Sequence, residues 1–540
     1  MIGFLALWGQ RVRRDRVQLP IWILGAAALA AAADSGVSAS YATEADRVSI
    51  LALSLAHPVI LLFRGLPSGP AEGAFIAFQI MPWLALLAAL MSAFLAVRHT
   101  RADEELGRAE LVAATAAGRA VPLAATIAHG LVANIALGGL VSLAFVLPGL
   151  PVRGSVLVGA AAASVGLAFL GMGLLAAQLV GSARAANSLS MIVLLVTFLL
   201  AGIGNALGTP SDDLLRLRSS WLTWLSPFGW AESSRPYDED TWAPILLCVA
   251  LGAALIAVSA ALQATRDLGG SLVAVRPARG EARPALASGL ALIWRQSSGS
   301  VLGWAIGGAI TGLLSTSLSA VVDQAGGSNP AVAEVLSALA GQGSLAEGAL
   351  TSFFIMLGVL AACCAVQTVA RARQEETRGT AELLLAAPMS RVHWCIDHLI
   401  VGFGAIVLIA VAADAGAGLG LLASRGGADL FRDVLVLSAG QVIAASVFLV
   451  ATALLFVVAP RLAVPAGWSL LGLGVMLGLF GPLFGLPGSL TRVSPFAAAP
   501  VVSNGAVQAN GVSWLVGVML IGAAVSIALM RRREITTGGS

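Results

Sequence analysis

Lysine is absent from the 540 residues, so all 31 basic side chains are arginine. That absence excludes the phosphate-binding P-loop, G-x-x-x-x-G-K-[ST], whose lysine reaches the β- and γ-phosphates. It also excludes the strand lysine of a protein kinase. If ATP drives this chain, another chain hydrolyses it. Charge of either sign is scarce as well: 11% of residues are charged, against roughly 25% in an ordinary soluble domain. Too little polar surface is left to keep a chain of this size dispersed in water. The four cysteines (Cys248, Cys363, Cys364, Cys395) lie in or beside apolar runs, with no C-x-x-C spacing and no His-rich neighbourhood. Neither a disulfide framework nor a metal site is indicated. In Met1–Pro20 the arginines Arg11, Arg13, Arg14 and Arg16 follow the apolar stretch instead of preceding it, so no cleavable signal is expected. No nucleic-acid partner is expected either.

What is present is apolar length. Apolar residues make up 58% of the chain, and they come in runs of 20 or more. A helix rising 1.5 Å per residue needs about 20 such residues to cross a hydrocarbon core about 30 Å thick. Twelve candidate spans stand at about 18–38, 74–97, 121–149, 155–180, 186–207, 242–263, 298–321, 348–370, 394–422, 434–459, 464–486 and 512–530. Placing both termini inside puts most of the arginines on the cytoplasmic side, as the positive-inside bias requires. The expectation is a multi-pass protein of a bacterial cytoplasmic membrane, with the lipid bilayer as its solvent and both termini cytoplasmic. A stretch rich in Arg, Pro and Gly (Arg276, Pro277, Arg279, Gly280, Arg283, Pro284) reads as a linker. It divides the chain into a first six-helix half, 1–263, a cytoplasmic linker, 264–297, and a second half, 298–540.

The two halves repeat. The internal loop after the second span reads Glu104-Glu105-Leu106-Gly107-Arg108-Ala109-Glu110-Leu111. The loop after the eighth reads Glu375-Glu376-Thr377-Arg378-Gly379-Thr380-Ala381-Glu382-Leu383. From Gly107 and Gly379 the copies align without a gap through Arg119 and Arg391, and one inserted residue brings the glutamate pairs into line. Two further anchors keep the order: Arg184 with Arg461, and Ser226-Pro227-Phe228 with Ser494-Pro495-Phe496. Each half begins inside, so the repeat is parallel and implies a pseudo-twofold axis along the membrane normal. Acids at the start of each loop segment and a cation at its end suit the dipole of a short interfacial helix. A symmetric pair of such helices is a docking surface for a symmetric pair of cytoplasmic partners.

The segment E-E-x-G-x-x-E-L-L, followed by small residues and Ser390-Arg391, resembles the loop between the second and third spans of ABC (ATP-binding-cassette) type 2 exporter permeases. With two six-span units in one chain, the sequence is most similar to actinobacterial exporters of polyketide antibiotics and mycobacterial multidrug permeases. The resemblance implies an all-α integral membrane protein of twelve transmembrane helices in two parallel-repeat halves, working as a non-enzymatic permease. Its power would come from two copies of a separate cytoplasmic ATPase, which hold the ATP and Mg. In that family this loop is the coupling helix that the ATPase grips. Carried over, the docking positions are Glu104, Glu105, Gly107, Arg108, Glu110 and Arg119 in the first half, and Glu375, Glu376, Gly379, Glu382 and Arg391 in the second. The first copy departs from the second at Thr115-Ala116-Ala117-Gly118, where the second has Ala387-Pro388-Met389-Ser390.

Within the spans, large apolar side chains form a candidate surface for a bulky amphipathic or apolar small molecule. They are Phe75, Phe78, Gln79, Met81, Trp83, Phe198, Phe353, Phe354, Met356, Met476 and Phe480. Helix packing and lipid contact account for the same residues equally well. Asp34 and Asp414 fall near outer span ends, and His393 and Asp397 at i, i+4 spacing form a local ion pair. His129 reads as a packing residue with one hydrogen bond. A stand-alone proton-coupled carrier of twelve spans is the alternative, but it calls for acids near the midplane of several spans, and almost none stand there. No catalytic constellation supports an enzyme.

Overall fold

The computed structural model describes residues 2–56, 58–115, 118, 120–267, 269–273, 288–317, 345–386, 389–424, 428–480, 488–503 and 506–533. It divides into two compact units, Met1–Ala278 and Arg279–Ser540. Nearly every element is helical, because a backbone in hydrocarbon must satisfy its own N–H and C=O groups, and a helix does so within one segment.

In the first unit, an approach helix α1 (Ile2–Asp15) leads into α2 (Gln18–Ser40). Two shorter helices follow, α3 (Glu44–Ala56) and α4 (Pro58–Leu61). The long helices are then α5 (Glu72–Arg98), α8 (Val121–Val146), α9 (Val152–Leu179), α10 (Ala183–Ala206) and α12 (Ala243–Thr265). Between them lie α6 (Arg101–Glu105), α7 (Arg108–Ala113) and α11 (Pro227–Glu232). Helix α9 is the centre, packed against α5, α8 and α12. Close approach depends on small residues: a Cβ at Gly159 would lie 2.2 Å from the carbonyl oxygen of Gly138 on α8. Pro82 sits inside α5 and leaves the carbonyl of Phe78 without its helical donor. The N–H of Gly65 donates to that oxygen at 2.7 Å, so the chain before α5 repairs the gap.

The second unit follows the same order. It holds α13 (Gly289–Ser317), α14 (Leu345–Thr377), α15 (Thr380–Leu385), α16 (Arg391–Ser424), α17 (Ala428–Val458), α18 (Ala463–Val475), α19 (Gly488–Thr491), α20 (Pro495–Ala498) and α21 (Val512–Met530). Here α17 takes the central place against α14, α16 and α21. Each unit carries one two-stranded antiparallel hairpin outside its long helices, Thr209–Pro210 with Leu217–Arg218 and Val501–Ser503 with Ala506–Gln508. The Ser-Pro-Phe anchors do the same job twice. Ser226 Oγ donates to the Thr197 carbonyl on α10, and Ser494 Oγ to the Gly474 carbonyl on α18, both at 2.7 Å. Each anchor thus ties its segment to an apolar helix that precedes it, α10 or α18, and Phe228 and Phe496 are buried.

Eleven described helices are long and apolar enough to cross a membrane. Of the run read as an eleventh span, 464–486, the described part is α18 continued by a π-turn at Met476–Phe480, and 481–487 lie outside the described residues. So do residues 268 and 274–287 of the linker, and residues 318–344. Large apolar side chains such as Ile135, Leu246, Leu302, Leu419 and Ile521 are exposed on the long helices. In water this would be a liability; in a bilayer it is the lipid face.

Candidate functional site

The two acidic loops share a geometry. In the first unit α6 breaks after Glu105, Gly107 takes the left-handed conformation (φ +68°), and α7 begins at Arg108. In the second unit α14 runs on to Thr377, Gly379 takes the same conformation (φ +75°), and α15 begins at Thr380. A side chain with a Cβ resists positive φ, so glycine sets the bend at both places. The short helices that follow present a leucine outward, Leu111 at 73% exposure and Leu383 at 77%. Glu105, Arg108 and Glu110 are exposed on the first loop, and Arg378, Glu382, Ser390 and Arg391 on the second. Arg119, Ala116, Ala117, Ala387 and Pro388 lie outside the described residues.

Not every acid of the motif faces solvent. Glu376 is wholly buried. Its Oε2 accepts from Arg373 at 2.9 Å and its Oε1 from Arg533 at 2.6 Å. Glu104 repeats this arrangement, with Oε2 on Arg101 at 2.8 Å and Oε1 on Arg266. The structural counterpart of Glu376 is therefore Glu104, and the loops align without the inserted residue that matching the glutamate pairs required. Glu375 is buried too, accepting from Trp394 Nε1 at 3.1 Å. Taking one partner from such a buried pair leaves an uncompensated charge, at a cost of about 3–5 kcal/mol. Glu105 keeps a different tie, accepting the Ala183 N–H at 3.0 Å where α10 starts. His393 Nε2 stands 3.7 Å from Asp397 Oδ1, as the i, i+4 spacing predicts.

Beside α7 a cavity of about 680 Å³ is lined by Arg11, Arg14, Asp103, Arg108, Leu111 and Leu123, with others. Beside α15 an open groove of about 630 Å³ is lined by Glu382, Leu385, Met389, Arg391 and Met530.

Asp15, which the sequence alone did not single out, is the buried hub behind the first loop. Its Oδ2 accepts from His99 Nε2 at 2.7 Å and His129 Nε2 at 3.2 Å, and its Oδ1 from Arg98 at 2.7 Å. Burial alone would raise its pKa, but the hydrogen bonds from His129, His99 and Arg98 hold it well below the usual carboxylate range. Asp15, His99 and His129 are close enough together to hold a metal ion. Two imidazole N–H groups and one guanidinium already satisfy both carboxylate oxygens, so the cluster is complete as a hydrogen-bonded joint. Its members are 84 and 114 positions apart, and no local pattern could have joined them.

The candidate ligand surface divides. Phe75, Phe78 and Phe354 are packed inside their units, with Phe75 between Tyr41 and Phe78. Gln79 accepts from Arg64. Helix packing leaves these buried rings no free area for a ligand. Trp83 stands over Phe198 with ring centroids 6.0 Å apart and keeps an exposed edge. Met356 and Met476 are half exposed, Phe353 is intermediate, and the side chain of Phe480 is outside the described residues.

Long lipid-compatible helices, irregular backbone confined to their ends and one charged loop per unit define an all-α, multi-pass membrane protein built as a permease. The family model for the C-terminal domain of multidrug efflux system permease Rv1217c matches residues 7–262 and 286–531. The multidrug efflux system permease protein Rv1217c of Mycobacterium tuberculosis is 33% identical over 536 residues, 99% of this chain and 95% of that protein. The chain belongs to this family of multidrug efflux permeases and is a transporter permease subunit.

Proposed function

We propose that the chain is the membrane half of an ATP-driven exporter of type 2 ABC architecture, and that two copies of a separate cytoplasmic ATPase dock on α7 and α15. The observation that carries this reading is the pair of outward leucines, Leu111 and Leu383. Each follows a left-handed glycine on a short helix and is exposed there. Two apolar knobs rimmed by charge suit grooves on two identical partners. The absence of lysine supports a P-loop, and with it ATP and Mg, on the partner.

The family model matches in two stretches, which supports two six-span halves. The arginine bias supports loops and termini on the cytoplasmic side of a bacterial inner membrane. The relative's role in multidrug efflux supports amphipathic, apolar cargo such as drugs, polyketides or lipid-like molecules. Closure of the ATPase pair would push both loops and shift the halves between inward- and outward-facing states. The work comes from the partner's differing affinity for the two.

Affinity purification of the full chain from its own membranes is expected to bring down an ATPase that carries a P-loop. The double variant Leu111→Asp with Leu383→Asp is expected to retain less than a tenth of that ATPase while eluting like wild type. Undiminished capture would overturn the docking surface. Dye export by the purified chain alone on a proton gradient would overturn the ATP-driven reading itself.

A further inference from the structure

Each acidic loop is latched to the last long helix of its own half. Arg101, Glu104 and Gly107 stand at the same mutual spacing as Arg373, Glu376 and Gly379. In both copies the loop arginine three residues upstream takes Oε2 of the glutamate. In both copies Oε1 is taken by an arginine just past the final helix, Arg266 after α12 and Arg533 after α21. The carboxylates and these two distal arginines are buried or nearly so.

Secondary ties reinforce each joint. Arg101 also donates to the carbonyls of Gly269 and Gly270, at 3.2 and 2.7 Å, just beyond α12. In the second unit Arg391 donates to the Arg533 carbonyl at 2.9 Å, and the Arg533 guanidinium lies 4.4 Å from the ring centroid of Phe456 on α17. The same two-arginine grip arises in two separate units, from residues that are remote in sequence. A surface pair formed by chance would not repeat with one carboxylate oxygen on the upstream arginine and the other on the distal one.

Covalently, a loop between the second and third spans can move only those two helices. We infer that Arg266 and Arg533 are positioning residues that carry loop displacement to the sixth and twelfth spans, α12 and α21, so that each half moves as a body when its loop is pushed. The inference rests on the docking reading for the push, but the latch is a property of the chain alone. Arginine suits the task, since its rigid fork can hold a carboxylate oxygen and a backbone carbonyl together.

The test takes the full chain in lipid nanodiscs, alone and with the co-purified ATPase, as wild type, Arg266→Gln, Arg533→Gln and the corresponding lysine variants. Without the ATPase, hydrogen–deuterium exchange at amides 101–113 is expected to quicken about tenfold in Arg266→Gln, and at 376–385 in Arg533→Gln. Amides in the middle of α12 and α21 should stay as slow as in wild type. Unchanged loop exchange in both glutamine variants would overturn the latch. With the ATPase, both glutamine variants are expected to keep the partner and its basal hydrolysis while losing at least fivefold in ethidium-stimulated hydrolysis and in ethidium export. The lysine variants should recover part of each. Full stimulation and export in glutamine variants whose loops exchange fast would overturn transmission through the latch. If wild type captures no ATPase the docking reading falls, and the exchange arm still decides the latch.

Discussion

Replacement of Gly312 by leucine is expected to break the packing of the second unit, whereas Gly303→Leu on the same helix is expected to be tolerated. Helices α13 and α16 form the most extensive helix pair among the described residues. They meet through Gly308-x-x-x-Gly312 on one side and Gly416-x-x-x-Gly420 on the other. A Cβ at Gly312 would lie 1.9 Å from the Ala413 carbonyl oxygen, and one at Gly416 would lie 2.0 Å from that of Ala309. The obstacle in both cases is backbone, which cannot swing aside as a side-chain tip can. The helices would have to separate by more than an ångström, and association of helices in lipid depends on van der Waals contact and not on a hydrophobic drive. Overpacking costs typically about 1–3 kcal/mol, occasionally more; a backbone obstacle puts this site at or above the upper figure. At Gly303 nothing lies within 4 Å of the added Cβ, and leucine is the better helix former. Thermal unfolding in detergent, followed by tryptophan fluorescence, is expected to drop by roughly 6–12 °C for Gly312→Leu and to hold or rise for Gly303→Leu. Equal midpoints for the two variants would refute close backbone contact as the basis of the pair.

These glycine stripes were written in the sequence and carry a recognised meaning in apolar helices, yet hydropathy alone treats glycine as filler between leucines. What hydropathy does read is length. Eleven of the apolar runs appear as long helices because lipid leaves an unbroken run few alternatives. The eleventh run is helical as far as it is described, through Phe480, and its remainder lies outside the described residues. The loops were legible as a repeat, but identity of letters misaligned them. Pairing Glu105 with Glu376 preserves a dipeptide. The fold instead pairs Glu104 with Glu376, because each has an arginine three residues before it and another past the last helix. That local arginine spacing was available; the distal arginines were not, since their distance from the loop has no sequence pattern. Asp15 was hidden for the same reason. It looks like one more polar residue in a basic approach helix until the fold sets His99, His129 and Arg98 around it.

Glu232→Gln is expected to raise stability at alkaline pH and to remove this group's contribution to the pH dependence of stability between about pH 5 and 8. Glu232 ends α11, the short helix of the Ser-Pro-Phe segment, and is buried. Its Oε2 accepts from Asn205 Nδ2 at 2.6 Å, while Asn205 Oδ1 is buried without a hydrogen-bond partner. Burial pushes the carboxyl up from its ordinary 4.5 to about 8, with the Asn205 bond opposing only in part. Between those two values the folded chain holds a proton that the unfolded chain releases. Stability therefore falls as pH rises through the window, and the group's favourable share is complete only below about 4.5. A shift of this size corresponds to roughly 5 kcal/mol across the window, at about 1.4 kcal/mol per pH unit. Glutamine matches the shape of the neutral acid, can accept from Asn205 and never ionises. Near pH 5 the variant and wild type should melt together; near pH 8.5 the variant should melt higher by several degrees. Parallel melting curves across pH 5 to 9, or a variant weaker at every pH, would show that Glu232 is ionised and paired in the fold. The predicted divergence instead requires the acid to stay neutral where it is packed. A neutral Glu232 fits a chain that pairs its ionised carboxylates with arginine at the ends of its helices and keeps unpaired charge out of its interior.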